Sequence, residues 1–236
     1  MEWYATCKKR FMVGGPEGLR PSVVLCGRGE PMPASPCIRG TVFAQVVLDV
    51  ERLLASGAVA QDRLGRWLGP EDLRVMAEDP LVSGWYPIGT YARMNELLRD
   101  VDGGGRDDYL RGLGRKSARQ FLESGHYQQV GYALRTALGE ARTPEERFHA
   151  FGYDLRLFVT MSASILNFSL WTPRVDPEHK HRYRIEVTEA SALPEALCWR
   201  ADGFMNELAA THGNPELWRW ERAAPDAIVF RMSRPL

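Results

Sequence analysis

Residues 182–215 read RYRIEVTEASALPEALCWRADGFMNELAATHGNP. At their start Tyr183, Ile185 and Val187 alternate with Arg184, Glu186 and Thr188, the period of two that marks a half-buried strand. From Pro194 the period lengthens, and Leu197, Ala201, Phe204 and Leu208 share one face of a helix. Gly213, Asn214 and Pro215 end it. ELWRWER (216–222) and AIVFRMS (227–233) then predict two strands joined by AAPD (223–226), a hairpin. The last third of the chain reads as strand, helix, strand, strand, with the change of period placed just past Pro177.

Before that point, from Arg39 to about Trp171, the pattern is helical. IGTYARMNELLRDV (88–101) sets Tyr91, Met94, Leu98 and Val101 on one stripe. DGGGRDD (102–108) is a loop in which Asp107 or Asp108 can cap the next helix. That helix carries Leu110, Leu113, Ser117 and Phe121 on one face, and Gly114 permits close approach of a neighbour. Thr143, Pro144 and Glu146 form an N-cap, first helical residue and capping box. Phe148, Phe151, Leu155, Phe158, Ser162 and Ile165 run down the helix that follows, and WTPRVDPEH (171–179) ends it.

Residues 1–37 differ in character. Two short strand-like runs, EWYATC (2–7) and SVVLC (22–26), are set among Gly and Pro, and Pro31, Pro33 and Pro36 make a boundary. Trp3 and Tyr4 lie in a hairpin too small to be stable alone, so this arm must pack on its own domain or on another subunit. The fold expected is α+β: a helical cluster packed on a small antiparallel C-terminal sheet, residues 38–236, preceded by an extended or hairpin arm, residues 1–37.

The composition of the 236 residues is that of a globular protein, 44% hydrophobic and 25% charged. Thirty basic residues balance thirty acidic ones, so no bulk attraction to nucleic acid or an anionic membrane is expected. Cys7, Cys26, Cys37 and Cys198 form no CxxC pair and define no disulfide scaffold. The N-terminal MEWYATCKKRFMVGG lacks the pattern of a secretory signal. The most apolar stretch, LFVTMSASILNFSLW (157–171), is shorter than the roughly 18–20 residues that span a bilayer. A soluble, cytoplasmic protein without a membrane span is the expectation.

The order of elements, with GWYPIGTYARMNELL (84–98), DDYLRGLGRKSA (107–118) and LCWRADGFMNELAATHG (197–213) before a terminal hairpin, resembles small α+β ligand-sensing domains. These are the domains of the 4-vinyl-reductase type and their haem nitric-oxide-binding relatives. The closer likeness is to a paralogous family of myxobacteria expected to share that fold. The match covers roughly residues 38–236 and leaves the arm outside. The resemblance implies a ligand-sensing or regulatory role and a homodimer. It also implies where a structural zinc would sit, with Cys198 and Glu221 standing where the first two ligands would be. The two downstream cysteines of that site are absent, and two donors do not make a structural zinc site. The Tyr-x-Ser-x-Arg motif of the haem relatives is likewise missing from YRIEVTEASAL (183–193). No cofactor is therefore expected, and Cys198 and Glu221 stand as vestigial candidates.

Local motifs give catalysis no support: no GxSxG, no phosphate-binding GxxxxGK[ST] and no HExxH occurs. Asp107/Asp108 and Glu145/Glu146 sit at helix starts, where the macrodipole accounts for them. His179 and His181 are two apart without a third ligand at metal spacing. The expected site is a pocket between helices and sheet, with His126, Tyr127, Tyr132, Phe158 and Trp199 as candidate ligand-binding residues. Each has a plainer role beside it: His126 as a structural histidine, Trp199, Trp218 and Trp220 as core aromatics, and Cys198 as a small buried hydrophobe. The function expected is a non-catalytic binding or regulatory module, working through a protein partner or a small apolar ligand. A cofactor-bearing sensor is the alternative, and an enzyme with a spatially assembled site is third.

Overall fold

A computed structural model describes residues 33–123 and 143–236. The runs at 2–7 and 22–26, with Trp3 and Tyr4, lie outside those residues, and so do His126, Tyr127 and Tyr132.

The described chain opens with a short strand, β1 (Cys37–Arg39), which leads into helix α1 (Gly40–Ala55). A 3₁₀ helix (Gln61–Arg66), α2 (Pro70–Ala77) and strand β2 (Trp85–Pro87) follow, with β2 pairing antiparallel to β1. Three long helices complete the helical part: α3 (Ile88–Val101), α4 (Asp107–Glu123) and α5 (Pro144–Ile165). The remainder is β3 (Leu170–Val175), β4 (Tyr183–Thr188), α6 (Glu195–Thr211), β5 (Trp218–Ala224) and β6 (Ala227–Met232). These four strands form one antiparallel sheet in the order β3-β4-β6-β5. The α+β reading holds.

Local signals placed most elements where the sequence put them. Helix α3 spans the residues of the predicted stripe, with Tyr91, Met94 and Leu98 buried. At the head of α5 the Thr143 hydroxyl accepts from the Glu146 N–H at 3.1 Å, and the Glu146 carboxylate accepts from the Thr143 N–H at 2.9 Å. Both partners of the capping box satisfy helix-end donors that would otherwise be orphaned.

One reading needs correction. The chain is not helical to Trp171: α5 stops at Ile165 and Leu170–Val175 is a strand, so the change of period precedes Pro177 and the C-terminal order is strand, strand, helix, strand, strand. Pro173 hid this strand, because proline cannot donate to a ladder; β3 tolerates it as an edge strand that pairs only with β4. Cys37 is the last residue of the expected arm. It is buried, it starts β1, and its N–H donates to the Asn167 side chain at 2.7 Å. Asn167 also donates to the carbonyls of Pro33 and Ser35, tying the chain's entry to the end of α5. Beside the face of Leu197, Ala201, Phe204 and Leu208, α6 buries a deeper stripe that the sequence did not single out: Cys198, Asp202, Met205, Asn206 and Ala209.

The polar members of that stripe are tethers. The Asn206 amide donates to the Trp218 carbonyl at 3.1 Å and accepts from the Trp218 N–H at 2.8 Å, so it pairs with the head of β5 as a neighbouring strand would. Asp202, buried in the same turn, accepts from Asn206 at 2.9 Å and from Arg111 of α4. Burial pushes the Asp202 carboxyl up from its ordinary value, and the Arg111 guanidinium opposes that shift. Helices α4 and α6 touch backbone to backbone: a Cβ at Gly114 would overlap the Arg200 carbonyl, and one at Gly203 would overlap the Arg111 carbonyl.

Candidate functional site

The interface between helices and sheet is built from the inward side of each strand. Register places Trp171, Ile185 and Val187, Phe230 and Ile228, and Trp218 and Trp220 on one face. Onto that face α5 lays its apolar stripe. Phe148 stacks on Tyr183 with ring centroids 4.2 Å apart, Phe151 lies 6.2 Å from Trp218, and Trp171 stacks 5.4 Å from Phe230. The Tyr183 hydroxyl donates to the Phe148 carbonyl at 3.1 Å, so its one polar group is satisfied within the apolar layer. Gly152 makes room for it, since a Cβ there would overlap the Tyr183 hydroxyl.

At the margin of this layer the rings remain in contact but are less deeply buried. Phe121 of α4 lies 5.8 Å from Phe204 of α6, Phe204 lies 6.0 Å from Phe158 of α5, and Phe158 meets Trp171 edge-on at 6.4 Å. Phe121, Phe204 and Phe158 are each half-buried, while Trp171 belongs to the core. The sequence named Phe158 as a pocket residue and placed Phe121 and Phe204 each on one face of its helix. Their joining depends on the α4–α6 approach, which no local pattern encodes.

Trp199 is elsewhere on α6. It is half-buried and meets Trp220 edge-on, with centroids 5.2 Å apart and planes at 82°. That contact puts α6 on the Trp218/Trp220 side of β5. Glu221, between Trp220 and Arg222 on the strand, therefore faces the opposite side and is exposed. Cys198 is fully buried, and burial pushes its thiol up to about 12. The two vestigial candidates stand on opposite sides of a strand, and no ion can bridge them there. Among the described residues no group of three His, Cys, Asp or Glu side chains is placed to hold a metal. His181 lies edge-on to Phe148, 5.7 Å between centroids, and has a left-handed backbone with φ of 59°.

Arg222 reaches the helix side of the sheet, where it donates to the Leu193 carbonyl at 2.6 Å, and charge is denser on the other side. The other side of the sheet carries Arg174, Arg184, Arg231 and Arg219 directly opposite one another across all four strands. Glu186 pairs with Arg174 and Arg184, Asp176 and Glu178 with Arg231, and Glu216 with Arg219. No helix among the described residues is long and apolar enough to cross a membrane.

No protein-family model and no curated protein matches this sequence.

Proposed function

We propose that the chain is a non-catalytic binding or regulatory module, acting through a protein partner or a small apolar ligand held between the helices and the sheet. The observation that carries this reading is the run of rings from Phe121 through Phe204 and Phe158 to Trp171, in which the first three are half-buried. Contiguous aromatic surface that is only half-buried offers apolar contact at little cost in side-chain ordering. The likeness to ligand-sensing domains points the same way. It also favours a homodimer, and two buried free thiols, Cys37 and Cys198, accord with a cytoplasmic setting.

A neutral, environment-sensitive dye such as Nile red tests the ligand form of the proposal. The native protein should take up the dye with a blue-shifted emission, and Phe158→Ser should weaken uptake about tenfold. Native protein that leaves the emission unchanged, or a Phe158→Ser variant that binds as the parent does, would count against it. Light scattering after gel filtration tests the homodimer, and a clean monomer across micromolar concentrations removes it.

A further inference from the structure

A concavity lies away from the sheet, where α1 ends and the 3₁₀ helix begins. It is an open cleft of about 420 Å³, within the range of small-ligand sites. Its walls include Val59, Asp62, Arg63, Arg66, Trp67 and Val101. The sequence QDRLGRW (61–67) explains the arrangement. A 3₁₀ helix has three residues per turn, so Arg63 and Arg66 project from the same edge, about 6 Å apart along the axis. Leu64 between them is buried and anchors the turn.

Trp67 is a fixed shelf. Its indole N–H donates to the Asp100 carboxylate at 2.9 Å, and Asp100 is itself held by Arg99 at 3.0 Å. The Arg66 guanidinium lies over the indole, 5.4 Å from the ring centroid, an arrangement that leaves the edge of the fork free to donate. Neither Arg63 nor Arg66 makes an ion pair with any described carboxylate. The two guanidinium groups thus stand one turn apart on the lining of one cleft, with no described carboxylate at ion-pair distance. Asp62 lines the same cleft, and with the two arginines the lining carries a net charge of +1.

We propose that this cleft binds a small molecule carrying an anionic group on a planar ring, the anion between Arg63 and Arg66 and the ring against Trp67. The shared chemistry is a phosphate or carboxylate joined to a flat unsaturated ring. This site is independent of the aromatic run between helices and sheet.

Calorimetric titration of the full chain with adenosine 5′-monophosphate, benzoate, adenosine and inorganic phosphate separates the parts. Binding of adenosine 5′-monophosphate or benzoate is expected, the stronger of the two identifying the anion; adenosine and phosphate alone should bind at least tenfold more weakly. Arg63→Gln and Arg66→Gln should each cost about tenfold in affinity, as loss of one charge-assisted contact does. Ala60→Phe, which places a ring in the cleft from an exposed position, should abolish binding, while Arg174→Gln on the sheet should leave it unchanged. The proposal is overturned if no probe binds below about 10 mM, a free energy under roughly 3 kcal/mol. Arginine variants that bind as the parent does, or inorganic phosphate that binds as tightly as the ring-bearing anions, also overturn it.

Discussion

Gly114 on α4 rests against the backbone carbonyl of Arg200 on α6, and the contact is close enough that a Cβ on Gly114 would overlap that oxygen. The reciprocal contact of Gly203 with Arg111 makes the two helices a single rigid unit that carries Phe121 and Phe204. Gly114→Ala must push the helices apart, at a cost of roughly 2–3 kcal/mol, or about 5–10 °C in Tm for a chain of this size. Gly112, on the same helix, faces open space. Gly112→Ala should therefore stabilise, by about 0.4–1 kcal/mol, through the unfolded state. Thermal melts of the two variants should move in opposite directions; a shared direction would refute the close-packed helix pair.

Asp72 supplies a pH-dependent clamp between α2 and α3. It is almost fully buried and accepts from the Gly69 N–H at 2.9 Å, the Thr90 hydroxyl at 2.6 Å and two guanidinium N–H groups of Arg93, at 2.6 and 2.7 Å. Burial by itself pushes the carboxyl up, but the bonds from Arg93, Thr90 and Gly69 together outweigh it and the net displacement is downward. A carboxyl held lower in the folded than in the unfolded state contributes stability above its ordinary value, and that stability is lost as pH falls through the folded value. Asp72→Asn should thus be less stable than the parent at pH 7, with the gap constant down to about pH 5 and narrowing below about pH 4. Urea titrations at pH 7, 5 and 3 measure the gap, and a gap undiminished at pH 3 would sink the assignment.

What the sequence made legible was local. Thr143, Pro144 and Glu146 carry their cap in four adjacent positions, and Tyr183, Ile185 and Val187 carry theirs in alternation, so both elements were readable without the rest of the chain. What stayed hidden has distant partners. Asp202 and Asn206 look like surface residues of a helix until Arg111 and Trp218 are brought to them. Pro173 disguised a strand that only an edge position allows. In the candidate site, Phe158 was legible as part of an apolar stripe, while its contacts with Phe204 and, through it, Phe121 require the tertiary approach of three helices. Cys198 and Glu221 were brought together as vestigial ligands only by the resemblance, and the strand's alternation separates them. The pair Arg63 and Arg66 beside Trp67 did leave a signal, an i, i+3 repeat of arginine ending in tryptophan, whose meaning depends on the turn being 3₁₀ and not α.

Cys198 should be chemically silent in the native state. It is fully buried beneath the sheet, and its thiol is pushed up to about 12, first by burial, with Arg222 acting in the opposite direction. Cys37 is also buried and raised by burial. Because the thiolate is the reactive species, a chain carrying Cys7→Ser and Cys26→Ser should show no fast reaction with Ellman's reagent at pH 8. Both remaining thiols should appear on adding denaturant. A thiol that reacts in seconds under native conditions would contradict this packing of α6.

The row of four arginines across the sheet sets like charges opposite one another, which is unfavourable unless each has a counter-charge. Position in the row decides how much each pairing matters. Arg174 lies on the edge strand with its side chain 59% exposed, and its bond to Glu186, 2.7 Å, is solvated. Arg174→Thr should change stability by no more than about 1 kcal/mol, since exposed pairs are worth little. Arg231, nearer the middle, is the charge partner of Asp176 at 3.2 Å, a carboxylate with no exposed side-chain surface. Arg231→Thr would leave that buried carboxylate without a cation and should cost about 3 kcal/mol or more. Salt should separate the two pairings: the small Arg174 effect should fade in 0.5 M sodium chloride, while the Arg231 effect should largely persist, because a buried pair is screened far less. Equal losses at the two positions, or an Arg231 effect abolished by salt, would show that Asp176 finds its compensation elsewhere.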